Sequence, residues 1–315
     1  EMVGADGLLH TYSAGTTGVT DPELWRALRA NLGALGMVTN IRLAVRERFS
    51  LDMRVDTYPE SVLLAPGGLA SLQVGCSQFV LMWFPGPYTE SLIRLCGHET
   101  TAPEVSTAAN TLIEPDIAPF LQQDFRDFMQ LGACHDTTNW SEELKRRDFF
   151  VNNSPLVVDP DASPRQHVQQ IVGPWHRMQT WMIPDTQIRF NQTDWEVVVP
   201  LDQFDAMVNA IEDFVEANGL AFSVVGAYIR VDQADDASIL GGNALGPSFT
   251  QGEPLVHFEI PVFIPWDMAP DQRAAYEQRW RDLFEMLLDD FDVRPHWGKN
   301  QDWVLPQCGR TSKSS

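Results

Sequence analysis

The sequence predicts an α+β fold: a mainly antiparallel sheet with helices packed on one face. Two observations carry this. Short apolar runs with strand character recur at Gln78–Phe84, Thr193–Val199, Phe222–Val231 and Leu255–Ile264. Between and after the last three lie two long segments with helical periodicity, at Leu201–Ala217 and Ala269–Phe291. In the first of these Phe204, Met207, Val208, Ile211, Phe214 and Val215 share one face, as a 3.6-residue period requires. The second opens on Pro270-Asp271, a proline at the first helical position followed by an acid.

The N-terminal elements are shorter. Met2-Val3 and Leu8–Ser13 flank Asp6-Gly7, a strong hairpin signal. Asp21-Pro22-Glu23 begins a helix whose apolar face is Leu24, Ala27, Leu28 and Leu32. Gly33–Gly36 stops it, and Met37–Val45 reads as a strand. Ser50–Asp56 alternates like a strand, and a helix follows that ends before Gly67-Gly68. Residues 97–165 are less periodic; their best element is an amphipathic helix at Ile117–Leu131, and Asn152–Pro164 reads as a loop.

Composition narrows the function classes. The chain has 315 residues, 44% hydrophobic and 21% charged, which is ordinary for a globular protein. Its 43 acidic and 22 basic side chains leave a formal charge of −21. Such a field repels phosphate backbones, so nucleic-acid binding is not expected. No run approaches the ~20 apolar residues of a membrane-spanning helix, and no signal segment is visible, so this chain reads as soluble with its compartment unassigned. Cys76, Cys96, Cys134 and Cys308 are widely spaced, without CxxC or histidine pairing. They read as buried or free thiols, with neither a metal site nor a disulfide scaffold expected.

Sequence signatures for nucleotide loops, serine hydrolases and zinc proteases are missing. The densest polar constellation is Arg294-Pro295-His296-Trp297-Gly298-Lys299-Asn300, which follows the last helix. Only three lysines exist, Lys145, Lys299 and Lys313, so a lysine here is informative. The segment is either a functional loop or a helix-terminating turn whose cations meet the helix dipole. A second constellation lies on two strands. Alternation places Tyr228 with Arg230 on one face and His257 with Glu259 on another. Faces of this kind either meet solvent or line a pocket.

The motifs together resemble a known family. Leu32-Gly33-Ala34-Leu35-Gly36-Met37-Val38-Thr39 is similar to part of a vanillyl-alcohol-oxidase-type flavin domain. Met82-Trp83-Phe84-Pro85, Trp195–Pro200 and His296-Trp297-Gly298-Lys299 resemble, in order, the WFP, EYxxP and HWGK signatures of the aldonolactone oxidoreductases. That family includes gulonolactone and D-arabinono-1,4-lactone oxidases and the related alditol oxidases.

The resemblance implies a partial FAD-binding domain over residues 1–45, a cap or substrate domain over 46–290, and a returning segment over 291–315. It implies FAD as cofactor and hydride transfer from a CH–OH group of a sugar-1,4-lactone or polyol to flavin N5. Arg230, His257, Glu259 and Lys299 would then be catalytic, and Tyr228, Glu196, His296 and Trp297 would bind substrate. Gly36, Thr39, Lys299 and Asn300 would face the cofactor. Partners would be a sugar lactone or polyol, and oxygen or an electron-acceptor protein.

Two departures from the family pattern follow. Tyr228 stands where the family has a glutamate, and Glu259 on the next strand could supply the carboxylate. The upstream half that wraps the FAD pyrophosphate is also missing, so a partner chain or an N-terminal half would complete the site. The alternative is a catalytically incomplete fragment or relic that binds a ligand or partner.

Overall fold

The computed structural model describes residues 1–13, 22–30, 33–85, 91–103, 170–174, 192–218, 220, 222, 226–235, 244, 249–263, 269–296 and 298–299. The helix expected at 117–131 and the loop expected at 152–164 lie outside them, as do Trp297, Asn300 and most of the Gly-rich loop at 240–246.

Two sheets form. The small one has the order β2-β1-β3, with β1 at Met2–Val3, β2 at Leu9–His10 and β3 at Met37–Val38. Its hairpin turns at Gly7, whose φ is 76°. There Asp6 accepts from the Leu8 amide at 3.0 Å and pairs with His10 at 2.9 Å. Helix α1 (Pro22–Arg29) stands between β2 and β3 in sequence. The strand expected to run to Val45 stops at Val38. Its remaining alternating residues, Ile41, Leu43 and Val45, are 69%, 75% and 91% exposed. Alternation alone does not make a strand where no sheet edge is supplied to pair with it.

The large sheet has eight strands in the order β11-β8-β10-β9-β5-β6-β4-β7, every neighbouring pair antiparallel. These strands are β4 (Ser50–Pro59), β5 (Gln78–Phe84), β6 (Ser91–Thr100), β7 (Gln170–Pro174), β8 (Gln192–Pro200), β9 (Ala227–Gln233), β10 (Pro254–Phe263) and β11 (Arg294–Pro295). The remaining helices are α2 (Ser61–Leu64), α3 (Gly68–Gln73), α4 (Leu201–Asn218) and α5 (Pro270–Asp290). The helix expected to end before Gly67-Gly68 is α2, and a second short helix, α3, starts at Gly68. Gly67 separates them at φ 70°, and Gly68 approaches the Val62 and Leu63 carbonyls too closely for a side chain.

One hydrophobic core joins the helices to one face of this sheet. From α4 come Phe204, Met207, Val208, Ile211 and Val215, and from α5 Tyr276, Trp280, Leu283, Phe284 and Leu287. The sheet contributes Leu81 and Trp83, Trp195, Val197 and Val199, Ala227 and Ile229, and Val256, Phe258 and Ile260. These strand residues share one parity, so their neighbours in sequence point to the opposite face. That alternation aims Glu196, Tyr228, Arg230, His257 and Glu259 away from the core. Each fully buried Phe or Leu stabilises the sheet by about 1.5–3 kcal/mol.

Strand β9 starts later than Phe222, the position the apolar run suggests. Gly226 precedes it at φ 65°, and a Cβ there would lie 2.3 Å from the Trp83 carbonyl oxygen. The cysteines also differ from expectation: Cys76 and Cys96 form a disulfide, with their Cα atoms 5.1 Å apart. Their separation of 20 residues gave no hint of the pairing, which follows from β6 lying beside β5.

Because Gly226 combines a left-handed backbone with close approach to β5, Gly226→Ala should lower stability by about 1–3 kcal/mol. Urea unfolding monitored by far-UV circular dichroism checks this; a change within about 0.5 kcal/mol would contradict the packing described.

Candidate functional site

The polar face is assembled by strand register. Glu259 on β10 is directly opposite Glu196 on β8 and Tyr228 on β9, and Tyr228 is opposite Met82 on β5. In the next site-facing row His257 lies between Val198 and Arg230. Two carboxylates side by side repel each other, so the pairing requires cations.

Arg230 supplies the first. Its Nη2 donates to Glu196 Oε1 at 3.1 Å and to Glu259 Oε2 at 3.3 Å. Lys299 supplies the second, with Nζ 2.5 Å from Glu259 Oε1 and 3.1 Å from Glu196 Oε2. Each cation thus bridges both acids. His257 completes the group through Nδ1, 2.9 Å from Glu196 Oε1.

The lysine arrives by a short return of the chain. Pro295 stops the sequence from continuing as helix, and β11 pairs with β8 through Arg294↔Val198 and Pro295↔Val197. The His296 amide then donates to the Glu196 carbonyl at 2.9 Å. A turn follows in which the Lys299 amide donates to the His296 carbonyl at 3.3 Å and the Gly298 amide to His296 Nδ1 at 3.1 Å. Arg294, the other cation of this segment, is set apart. Its guanidinium donates to the Ala244 carbonyl and lies 4.4 Å over the Phe249 ring. The reading in which these cations meet the end of α5 is therefore not what the structure shows.

Burial sets the charge states. Glu196 is 1% exposed. Burial works to raise its pKa, but the His257 hydrogen bond and the charges of Arg230, Lys299 and His296 override it, lowering the group to about 2. Lys299 is pushed the opposite way by burial, yet its bonds to Glu259 and Glu196 raise it above the usual lysine value. Tyr228 is raised well above an ordinary phenol by burial and by the charges of Glu259 and Asp194. It therefore remains neutral.

The histidine is poised differently. With Nδ1 donating to the Glu196 carboxylate, Nε2 is the ring nitrogen that faces away from it. That Nε2 is buried and has no hydrogen-bond partner among the described residues.

The structure brings together Arg230, His257, Glu259, Lys299, Tyr228, Glu196 and His296. Glu196, which the resemblance offers as a substrate contact, is 1% exposed, with its oxygens directed at Arg230, His257 and Lys299. Gly36 and Thr39 lie with the small sheet. Gly36 approaches the Val3 carbonyl too closely to carry a side chain, and Thr39 donates its amide to the Glu1 carbonyl at 3.0 Å. The sequence reading missed Asp194, whose charge acts on Tyr228. It also missed the small cluster of Val198, Ala234, Phe249 and Leu255 on this face. The even spacing of Asp194, Glu196 and Val198 could have pointed to both.

A family model described as D-arabinono-1,4-lactone oxidase matches residues 78–304. Among solved structures, the Bermuda grass pollen isoallergen BG60 superposes with a TM-score of 0.51 at 12% identity, over 95% of this chain and 53% of the allergen. The VAO-type flavoprotein MtVAO615 from Myceliophthora thermophila gives 0.50 at 15% identity, over 98% of this chain and 51% of that one. At such identities the likeness is one of fold, and this chain spans about half the length of either structure. A search of curated protein sequences finds no match.

The depressed Glu196 carboxyl makes a signed prediction. Its folded pKa of about 2 lies below the ordinary 4.5, so its contribution is complete above about pH 4.5 and lost as pH falls towards 2. One pKa unit is about 1.4 kcal/mol, which puts that contribution at about 3 kcal/mol. Urea unfolding across this range should show Glu196→Gln less stable than wild type at pH 7, with the gap closing below pH 4. A gap that does not change with pH would contradict the charge network.

Proposed function

The chain belongs to the D-arabinono-1,4-lactone oxidase family, and from that premise we propose that it forms the substrate-facing wall of an FAD-dependent oxidoreductase. The reaction is oxidation of a CH–OH group in a sugar-1,4-lactone or polyol. One observation carries this: a buried carboxylate holds two cations and a histidine whose other nitrogen is unpaired, all on one sheet face.

FAD, when bound, supplies the two-electron acceptor. Lys299 and Arg230 are the residues of this face suited to its ring end, where charge develops on reduction. His257 Nε2 accepts the proton of the substrate hydroxyl. Glu196 fixes the opposite tautomer and stabilises the imidazolium that results. Glu259 takes the place of the carboxylate that Tyr228 lacks, orienting a hydroxyl while holding Lys299. Arg230 and Lys299 each bridge Glu196 and Glu259, so neither cation is left as an isolated charge to select an acidic substrate over a polyhydroxy one.

The remaining flavin contacts come from polypeptide equivalent to the half of the solved neighbours that this chain does not cover. The exposed row Ile41, Leu43 and Val45 supports such a partner, since unpaired alternating apolar residues suit strand addition. A non-catalytic, ligand-binding role is the second reading, and Tyr228 in place of the family glutamate favours it. Oxygen or an electron-acceptor protein is the re-oxidant.

FAD titration followed by anaerobic addition of sugar lactones and polyols tests the proposal. Flavin spectral perturbation, then bleaching by a lactone or polyol, is the expected result. Bound flavin that none of these substrates bleaches would overturn the catalytic reading. Absence of binding would place the flavin site in a partner chain or an N-terminal half, and the titration is then repeated with that polypeptide present.

In a loaded enzyme, Lys299→Met should slow flavin reduction by about 10²–10³-fold. Glu259→Gln should slow it far more than Glu216→Gln, a change at an exposed acid of α4. Stopped-flow absorbance reads both, and equal effects for the two glutamates would remove Glu259 from the mechanism.

A further inference from the structure

The opposite face of the sheet carries a second chemical site. Cys76, in the connection between α3 and β5, is bonded to Cys96 on β6. Alternation puts Leu92, Arg94, Cys96 and His98 on one face of β6, so both sulfurs have a nitrogenous neighbour. Arg94 Nη2 lies 3.1 Å from Cys76 Sγ. His98 Nε2 lies 3.6 Å from Cys96 Sγ. The guanidinium is itself anchored, donating from Nε to the Leu72 carbonyl at 2.7 Å and from Nη1 to Asp56 at 3.0 Å.

A disulfide that only cross-links needs neither neighbour. Thiol–disulfide exchange is speeded by both, because each departing sulfur leaves as a thiolate, and a stabilised thiolate leaves faster. The connection is also held without the bond. Ser77 donates to the Gly97 carbonyl from its amide at 3.0 Å and from its hydroxyl at 2.8 Å. Opening the disulfide would therefore leave the α3–β5 connection seated on β6.

We propose that Cys76–Cys96 is a reversible redox modification site, reduced by dithiols of the thioredoxin class and re-formed by a low-molecular-weight disulfide such as oxidised glutathione. Cys76 is partly exposed and Cys96 is 2% exposed, so attack falls on Cys76. A reductant thiolate bonds to Cys76 Sγ, the Cys76–Cys96 bond breaks, and Cys96 leaves as a thiolate beside His98. The reductant's second thiolate then attacks its own sulfur in the mixed disulfide and expels the Cys76 thiolate beside Arg94. One disulfide and one dithiol give two cysteine thiols and one reductant disulfide, with two electrons and two protons transferred. None of this rests on the flavin reading.

The test uses the folded 315-residue chain in dithiothreitol and then in oxidised glutathione, with thiols trapped by alkylation. Peptide mass spectrometry scores Cys76 and Cys96 apart from Cys134 and Cys308. Both cysteines should become alkylated together in reductant, without denaturant, and be protected together on reoxidation. Arg94→Gln and His98→Asn should each slow reduction about threefold. Arg94 also supports the α3–β5 connection, so the exposed His98 gives the cleaner reading. Resistance to reduction until denaturant is added would overturn the proposal. So would free thiols at both positions in oxidised glutathione, or a wild-type rate in His98→Asn.

Discussion

The site depends on one buried carboxylate. Glu196 sits on β8 with 1% of its surface exposed, where an isolated charge would be very costly. Its carboxylate is compensated by Arg230 from β9, His257 from β10 and Lys299 from the segment after β11. Three separate stretches of chain are thereby required to converge on one group. Glu259 then shares the same two cations, and His257 Nε2 is left buried without a hydrogen-bond partner among the described residues.

The sheet makes that convergence possible through parity. On β8, β9 and β10 one set of alternate residues enters the core with α4 and α5, and the other set forms the polar face. A slip of one residue in any of these strands would turn Glu196 or Glu259 into the packed core and Val197 or Phe258 outward. The apolar side thus fixes the register that the polar side needs. Stability and site geometry are two consequences of one alternation, which explains why charged side chains can sit in otherwise apolar strands.

Much of this could be read from residues alone. The pairings of Tyr228 with Arg230 and His257 with Glu259 on common faces follow from period-two spacing, and Lys299 stood out because lysine is scarce. Long amphipathic helices α4 and α5 were equally plain, since their apolar positions repeat over several turns. Other features depend on tertiary context. Strand β6 gave no clear signal because Arg94 and His98 interrupt its apolar face, and Arg94 is explained by the α3–β5 connection it bonds. The Cys76–Cys96 bond is likewise a product of strand order. For Glu196, sequence shows that an acid lies on a strand but not how many cations surround it. The alternating run to Val45 predicted a strand, yet strand formation needs a partner edge as well as a pattern.

The claim that Glu196 organises the site is tested most directly by a double-mutant cycle between Glu196→Gln and Lys299→Met, measured by urea unfolding at pH 7. The two residues meet at 3.1 Å in a site where Glu196 is enclosed, so the account predicts a coupling of about 1–3 kcal/mol. Additive effects, with coupling under about 0.5 kcal/mol, would mean that Lys299 is not held by the buried carboxylate, and the site as described would not exist.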